Sequence, residues 1–262
     1  MSSKPAVLVT GASSGIGAAY ADRFARRGHD LVLVARDADR LESLAARLRA
    51  EAGVAVDILR ADLTEPADLA RVEARLREDE RVGVLVNNAG AAGHGGFLDQ
   101  DSEQVGRLID LNVTALARLA SAVAPRFAAS GGGAIVNIGS VVGLAPEFGM
   151  AVYGATKAFV LFLSQGLHGE LGPRGVYVQA VLPAATRTEI WERSGRDVNA
   201  LPAVMEVGEL VDAALVGFDR GETVTIPPLP DAAQWSAYDA ARAAMLPNFG
   251  QVHAAARYRS AA

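Results

Sequence analysis

Short apolar runs of strand length alternate along the chain with longer stretches whose apolar residues recur at helical spacing. The runs 6–10 (AVLVT), 30–36 (DLVLVAR), 54–60 (VAVDILR), 82–88 (VGVLVNN), 133–140 (GAIVNIGS) and 176–183 (VYVQAVLP) predict strands. They are rich in β-branched residues and apolar on both faces, as parallel strands covered by helices on each side require. Between them, AAYADRFARRG, DRLESLAARLRAE, ADLARVEARLRED and the long VGRLIDLNVTALARLASAVAPRFAA keep one apolar face and set Arg and Glu opposite it. Several are followed by Gly, a common helix stop. A seventh run, 223–227 (TVTIP), comes after an aperiodic segment. Alternation repeated this often predicts an α/β fold with a doubly wound parallel sheet of about seven strands and helices on both faces.

No linker breaks the pattern before about residue 185, so the chain, 1–262, is expected to form one domain. Its parts are a core over 1–185, a substrate loop with helices over 186–222, and a last strand with a C-terminal segment over 223–262. Segment 186–206 lacks a clear period, contains Gly195 and Pro202, and follows a strand, where open α/β sheets place ligands. Trp235, Tyr238 and Met245 fall near one helical face and read as packing for the C-terminal segment. The final residues read as an arm or a frayed tail.

Composition narrows the function. A chain of 262 residues buries roughly three quarters of its unfolded surface and needs no staples. It has no cysteine, which excludes disulfides, thiolate metal sites and cysteine nucleophiles; no metal site is expected. The net charge is −5, and no Lys/Arg block marks a nucleic-acid partner. The start MSSKPAVLVTG carries no long apolar leader. No run approaches the ~20 apolar residues of a membrane span. A cytoplasmic protein with no membrane partner is the expectation.

TGASSGIG (10–17) directly follows the first strand and opens the first helix. Its glycines at 11, 15 and 17 suit a sharp turn, close approach to a pyrophosphate and tight helix–sheet packing, with free N–H groups aimed at the phosphates. The spacing Gly-x-x-x-Gly-x-Gly departs from the usual dinucleotide fingerprint. It resembles the short-chain dehydrogenase/reductase family, whose pattern is Thr-Gly-x-x-x-Gly-x-Gly, and the likeness extends over most of the chain. That resemblance implies a Rossmann-type fold, with a dinucleotide-binding and catalytic core over 1–185.

Further motifs agree in order. The second strand ends VARD (34–37). The acidic residue that implies NAD in this family would fall near Ala35, and Arg36 follows, the arrangement that implies NADP(H) in preference to NAD(H). A guanidinium there can pair with a 2′-phosphate. Alternatively, Arg36 is a solvated charge neutralised by Asp37. The resemblance further implies cofactor contacts from Gly11, Ser13, Ser14, Gly15, Ile16 and Gly17, from Asp62 and Leu63 in ADL (61–63), and from Asn88, Ala89 and Gly90 in NNAG (87–90). Asn87 and Asn88 can equally bond backbone groups that hold the central strand.

Tyr153 and Lys157, in YGATK, lie one helical turn apart on one face. Reduction of a carbonyl needs a hydride and a proton. A phenol with an unperturbed pKa of about 10 gains acidity beside an ammonium. Such a pair is common on helices and carries little weight alone. With the glycine turn, NNAG and Asn112 in the expected order, it reads as chemical. The resemblance implies a catalytic tetrad of Asn112, Ser140, Tyr153 and Lys157: the serine bonding the substrate oxygen, the asparagine backbone holding a water chain to the lysine. It also gives Tyr153 and Lys157 cofactor contacts.

After the sixth strand the family usually has Pro-Gly and then a threonine. Here PAATRTE (183–189) puts Ala184 at the glycine position. Pro183, Ala184 and Thr186 or Thr188 remain candidates for the nicotinamide end. A substrate wall of Gly93, His94, Val142, Glu147, Phe148, Met150, Trp191 and Met205 is mostly apolar, which suggests a hydrophobic small-molecule carbonyl or alcohol. The apolar circumference of 158–167 and the Ala/Leu-rich helix of 105–129 suggest a homo-dimer or homo-tetramer. The expected activity is hydride transfer between NADP(H) and a carbonyl or secondary alcohol, as in a carbonyl reductase or alcohol dehydrogenase. The alternatives are a catalytically silent NADP(H)-binding sensor and an epimerase or dehydratase on the same scaffold.

Overall fold

The computed structural model describes residues 4–93 and 95–259. The chain divides into two compact units, one through Pro227 and one from Pro228 onward. That boundary falls inside the segment 223–262 that the sequence groups together. The first unit runs β1 (Ala6–Thr10), α1 (Gly15–Arg26), β2 (Leu31–Ala35), α2 (Ala38–Ala52), β3 (Val56–Arg60), α3 (Pro66–Glu78) and β4 (Val82–Asn87). It continues through α4 (Ser102–Ile109), α5 (Leu116–Ser130), β5 (Ala134–Ile138), α6 (Ala151–Leu171), β6 (Tyr177–Val181), α7 (Ile190–Arg193), α8 (Val207–Asp219) and β7 (Val224–Thr225). The seven strands are parallel, in the order β3-β2-β1-β4-β5-β6-β7.

Successive residues of each central strand feed different cores. Val7, Val9, Leu31, Leu33, Val84 and Val86 share a cluster with Tyr20 and Phe24 of α1, Leu41 and Leu48 of α2, and Val211 and Leu215 of α8. Ala6, Leu8, Val32, Val34, Leu85 and Ile135 join Leu69 and Leu76 of α3 and Leu119, Val123 and Phe127 of α5. Alternating side chains thus build an apolar layer on each face, which is why the runs are apolar throughout. The strand order reverses between β1 and β4, and ligands bind at the carboxyl ends beside such a reversal. The glycine turn leaves β1 there, and Asn88–Gly90 leaves β4.

Three readings of the sequence need correction. β1 coincides with its run, but the other strands are one to three residues shorter than theirs, and the last keeps two residues of 223–227. The long helix of 105–129 is broken: α4 gives way to a π-helical segment, Asp110–Ala115, before α5 begins. One extra residue in a turn hardly alters the spacing of apolar side chains, so the pattern does not reveal it. The stretch Ser102–Ser130 is also long and apolar enough to cross a membrane by length and composition. In this fold Leu116, Leu119, Val123 and Phe127 spend that apolarity on the sheet.

The second unit contains α9 (Ala232–Ala243) and two single helical turns. Asp231 caps α9 by accepting from Ala233 N, 2.9 Å away. Trp235 and Tyr238 stack with ring centres 5.4 Å apart, and no residue of α9 is buried.

Candidate active site

The glycine turn is a cradle built from main chain. Ser14 begins α1 without a side-chain cap, and the first turn holds no acidic residue. Its N–H groups and dipole are therefore free for an anion. A Cβ at Gly17 would press on the Gly11 carbonyl oxygen and lie 2.5 Å from Asn88 Nδ2. Asn88 Nδ2 donates to the carbonyl oxygens of Thr10 (2.9 Å) and Gly11 (3.3 Å). The backbone N–H groups of Asn88 and Ala89 both donate to Thr10 Oγ1 at 3.0 Å. Thr10 thus stitches β1 to the end of β4, a role the sequence did not single out although it begins the motif. Asn87 Nδ2 donates to the Asn137 side chain at Oδ1 (3.0 Å) and to Leu116 O (3.4 Å); the second bond, with those of Asn88, is the backbone bonding of the alternative reading. Ser13 stays in the turn, whereas Ile16, Leu63 and Ala89 pack onto the two cores.

Arg36 follows β2, two-thirds exposed (67%), with Nη1 3.6 Å from Asp62 Oδ2. Asp37 does not neutralise it; Asp37 instead caps α2, accepting from Arg40 N at 3.0 Å. Asp62 accepts from Thr64 N (3.0 Å) and Thr64 Oγ1 (2.7 Å). Partial burial pushes its carboxyl up, but the Thr64 bonds and Arg36 outweigh this and hold it below the usual range. A glycine-rich cradle, an uncapped helix start and an exposed guanidinium fit a phosphate-rich dinucleotide.

Tyr153, Lys157 and Ser140 converge where α6 crosses β5. Lys157 is buried, and its Nζ donates to Ile138 O at 2.9 Å and lies 5.6 Å from the Tyr153 ring centre. Burial lowers the ammonium to about 8. Burial pushes the Tyr153 phenol up to about 12, and a hydrogen bond with Ser140 opposes the push. Tyr153 nonetheless keeps some accessible surface. The sequence argument had the ammonium favouring the phenolate; exclusion of water from the site is the larger effect here. Ser140 Oγ also donates to Pro183 O at 3.2 Å. Gly143 makes the helix contact close: a Cβ there would lie 2.7 Å from Lys157 C and Ala158 N.

Asn112 sits in the π-helical segment and is buried. Its Oδ1 accepts from Ala91 N (2.9 Å); its Nδ2 donates to Ala91 O (2.9 Å) and Thr156 Oγ1 (3.1 Å). Thr156 Oγ1 in turn donates to Tyr153 O at 2.7 Å. Thr156 lies inside YGATK, and the sequence reading gave it no role.

Beyond β6, no described non-glycine residue has positive φ, so Ala184 fits an ordinary backbone. Thr186 is buried, donates to Ala184 O at 3.0 Å and bridges to Met205. Thr188 turns the other way: its Cγ2 lies 3.2 Å from where a Cβ of Gly15 would be. Trp191 Nε1 donates to Thr186 O at 2.8 Å. Arg196 Nη1 approaches Met150 Sδ at 3.4 Å, and Phe148 is exposed. His94 lies outside the described residues. Exposed ion pairs hold this loop, with Arg40 Nη1 2.7 and 2.8 Å from the Glu189 oxygens and Arg187 Nε 2.8 Å from Glu206 Oε1. A cleft of about 810 Å³ is lined by Gly15, Thr188, Glu189, Trp191 and Arg196 among others. It borders the glycine turn rather than Tyr153.

Comparison with known proteins adds the following. Residues 5–199 match the family model for short chain dehydrogenases. A short-chain dehydrogenase from Sphingobium yanoikuyae, in complex with NADPH, is 72% identical with a TM-score of 0.96, over 97% of this chain and 100% of that one. The bulky-bulky ketone specific alcohol dehydrogenase from Comamonas testosteroni is 60% identical with a TM-score of 0.92, over 98% and 99% of the two chains. Among curated relatives, the very-long-chain 3-oxoacyl-CoA reductase of Anas platyrhynchos is 34% identical over 188 residues, 70% of this chain. The match spans 60% of that relative's length.

Proposed function

The chain belongs to the short-chain dehydrogenase family, and from that premise we propose that it is an NADP(H)-dependent oxidoreductase interconverting a small-molecule ketone and its secondary alcohol. The observation that carries this reading is the convergence of Ser140, Tyr153 and Lys157 beside the switch point of the sheet, next to a cradle fit for a dinucleotide. Bound in that cradle, NADPH supplies the hydride. Arg36 recognises the 2′-phosphate at the end of β2 and exchanges its long contact with Asp62 for a charge-assisted bond. Gly11, Gly15 and Gly17, with the first N–H groups of α1, take the pyrophosphate. Asn88, Ala89, Gly90 and Thr188 line the rest, with Thr188 favoured over the inward-turned Thr186.

In reduction, Ser140 Oγ holds the carbonyl oxygen and Tyr153 gives it a proton. A phenol kept neutral by burial is in the right state to donate. In alcohol oxidation Tyr153 must accept that proton, so the rate rises with pH. Lys157, with an ammonium near 8, titrates close to the working range and passes the proton on. We further propose a hydrophobic substrate, a cytoplasmic location and a homo-oligomer whose contact includes the outer face of α6. Phe159 and Phe162 are exposed on that face.

The test is a panel of ketones and alcohols with both nicotinamide couples, beginning with ketones bearing two large substituents, since a 60% identical relative is specific for them. NADPH oxidation with at least one ketone is expected. Tight NADPH binding without turnover of any substrate would favour the silent sensor instead.

A further inference from the structure

The oxidoreductase reading leaves the buried hydroxyl of Thr156 without a role. Thr156 is 3% exposed and lies between Tyr153 and Lys157 in α6. Its Oγ1 is used in both directions: it donates to Tyr153 O at 2.7 Å and accepts from Asn112 Nδ2 at 3.1 Å. Asn112 spends its other contacts on Ala91, donating to the carbonyl and accepting from the N–H. A single hydroxyl therefore joins three pieces: the turn of α6 that carries Tyr153 and Lys157, the π-helical segment, and the strand end that follows β4. The groups it joins lie close to the ammonium. A Cβ at Gly90 would sit 3.2 Å from Asn112 Oδ1 and 3.6 Å from Lys157 Nζ.

We infer that Thr156 is a positioning residue that, through the Asn112 side chain, holds the π-helical segment in register with Lys157 and so sets the polar surroundings of the ammonium. A helix has no intrinsic preference for an i→i+5 turn, and such turns persist where side chains hold them. Without the hydroxyl, Asn112 Nδ2 loses one buried acceptor and Tyr153 O loses its extra donor, a costly change in a dry site. The segment then relaxes toward regular α-helix, and Asn112 Oδ1, which lies with Lys157 Nζ around Gly90, moves away from the ammonium. Ile138 O remains as its acceptor, but with one oxygen fewer nearby the ammonium is less stable, so the Lys157 pKa falls and proton transfer at Tyr153 slows. Tyr153 is the one titratable neighbour whose contact with Lys157 is resolved. Asp110 on the π-helical segment and the Glu103–Arg107 pair on α4 are exposed, and no carboxylate contributes to the shift of Lys157.

The chain contains only two lysines, Lys4 and Lys157, so protein labelled with [13Cε]lysine gives two signals, one of them assigned by its loss in K157M. In T156V, the Lys157 titration is expected to move down by at least half a pH unit in the free protein. The kcat should fall at least tenfold, with NADPH affinity and KM within about threefold, and T156S should restore both readouts. A T156V protein whose Lys157 titration and kcat match the wild type overturns the inference, even if it melts earlier. So does a T156S protein as impaired as T156V, which would assign the effect to shape rather than the hydroxyl. If T156V does not fold, T156A carries the same comparison. Absence of turnover by the wild type would instead sink the oxidoreductase reading, and the Lys157 titration would still decide the positioning role.

Discussion

The crevice beneath α6 and the loop that follows β6 both hold polar side chains near the same ligand space, by opposite means. Around Tyr153 the ties are short, buried and almost all neutral: Asn112 to Ala91 and Thr156, Thr10 to Asn88 and Ala89. Along 186–206 they are exposed ion pairs, Arg40 with Glu189 and Arg187 with Glu206. Buried neutral bonds lose heavily when one partner is removed, because the other is stranded away from water. Exposed pairs are screened by salt and lose little. The proposed catalytic groups are thus fastened where nothing yields, and the loop proposed to meet the substrate is held by ties that can give.

The comparison breaks most sharply at the phenol. Tyr153→Phe should fold and bind NADPH yet lose at least the ~10²–10⁴-fold that positioned acid–base groups supply; turnover within tenfold of wild type in a steady-state assay would place the proton donor elsewhere. Next in size is Arg36→Ala, exposed but bound for a phosphate. It should cost NADPH roughly 1.5–3 kcal/mol of binding, the scale of a hydrogen bond to a charged group, and leave NADH little changed by fluorescence titration. Equal losses for both cofactors would remove Arg36 from the 2′-phosphate.

Asp22 tests the middle ground, a carboxylate with an 8% exposed side chain and more exposed guanidiniums around it. Burial pushes its pKa up, but hydrogen bonds from Arg26, Arg47 and Arg23 prevail and hold it at about 2. The folded pKa lies below the unfolded one. Its stabilisation is therefore complete above about pH 4 and is lost as pH falls toward 2. With solvent screening at the arginines, that amounts to about 1–2 kcal/mol. Urea unfolding of Asp22→Asn should show a shallower loss between pH 4 and 2.5 than the wild type. The smallest effect is expected from Glu189→Gln, at most a few-fold in KM and fading in 0.5 M salt. A salt-independent loss of tenfold or more would mean that the loop is fastened as firmly as the crevice.

The alternation of apolar runs was enough to read the sheet, because strands covered on both faces must be apolar throughout and the helical stretches between them require parallel crossovers. The glycine turn and the Tyr-x-x-x-Lys pair were legible for a similar reason: each imposes a residue type at a fixed spacing. Contacts between distant segments left no such trace. Nothing in the order of residues pairs Arg40 with Glu189, or Thr156 with Asn112. The upward push on Tyr153 escaped as well, since spacing shows the neighbouring cation and hides how little water reaches it. Asp37 stood as an alternative partner because a carboxylate beside Arg36 looks like a counter-ion until the start of α2 claims it.

Gly143 carries no functional group, yet it decides how near α6 may come to the turn that follows Ser140. Anyone reshaping this enzyme for other ketones will look first at its neighbour Val142, on the proposed substrate wall. Libraries that spread one position further would wedge the helix outward and part the serine from the tyrosine. Those clones would look like failures of substrate choice when the fault is mechanical.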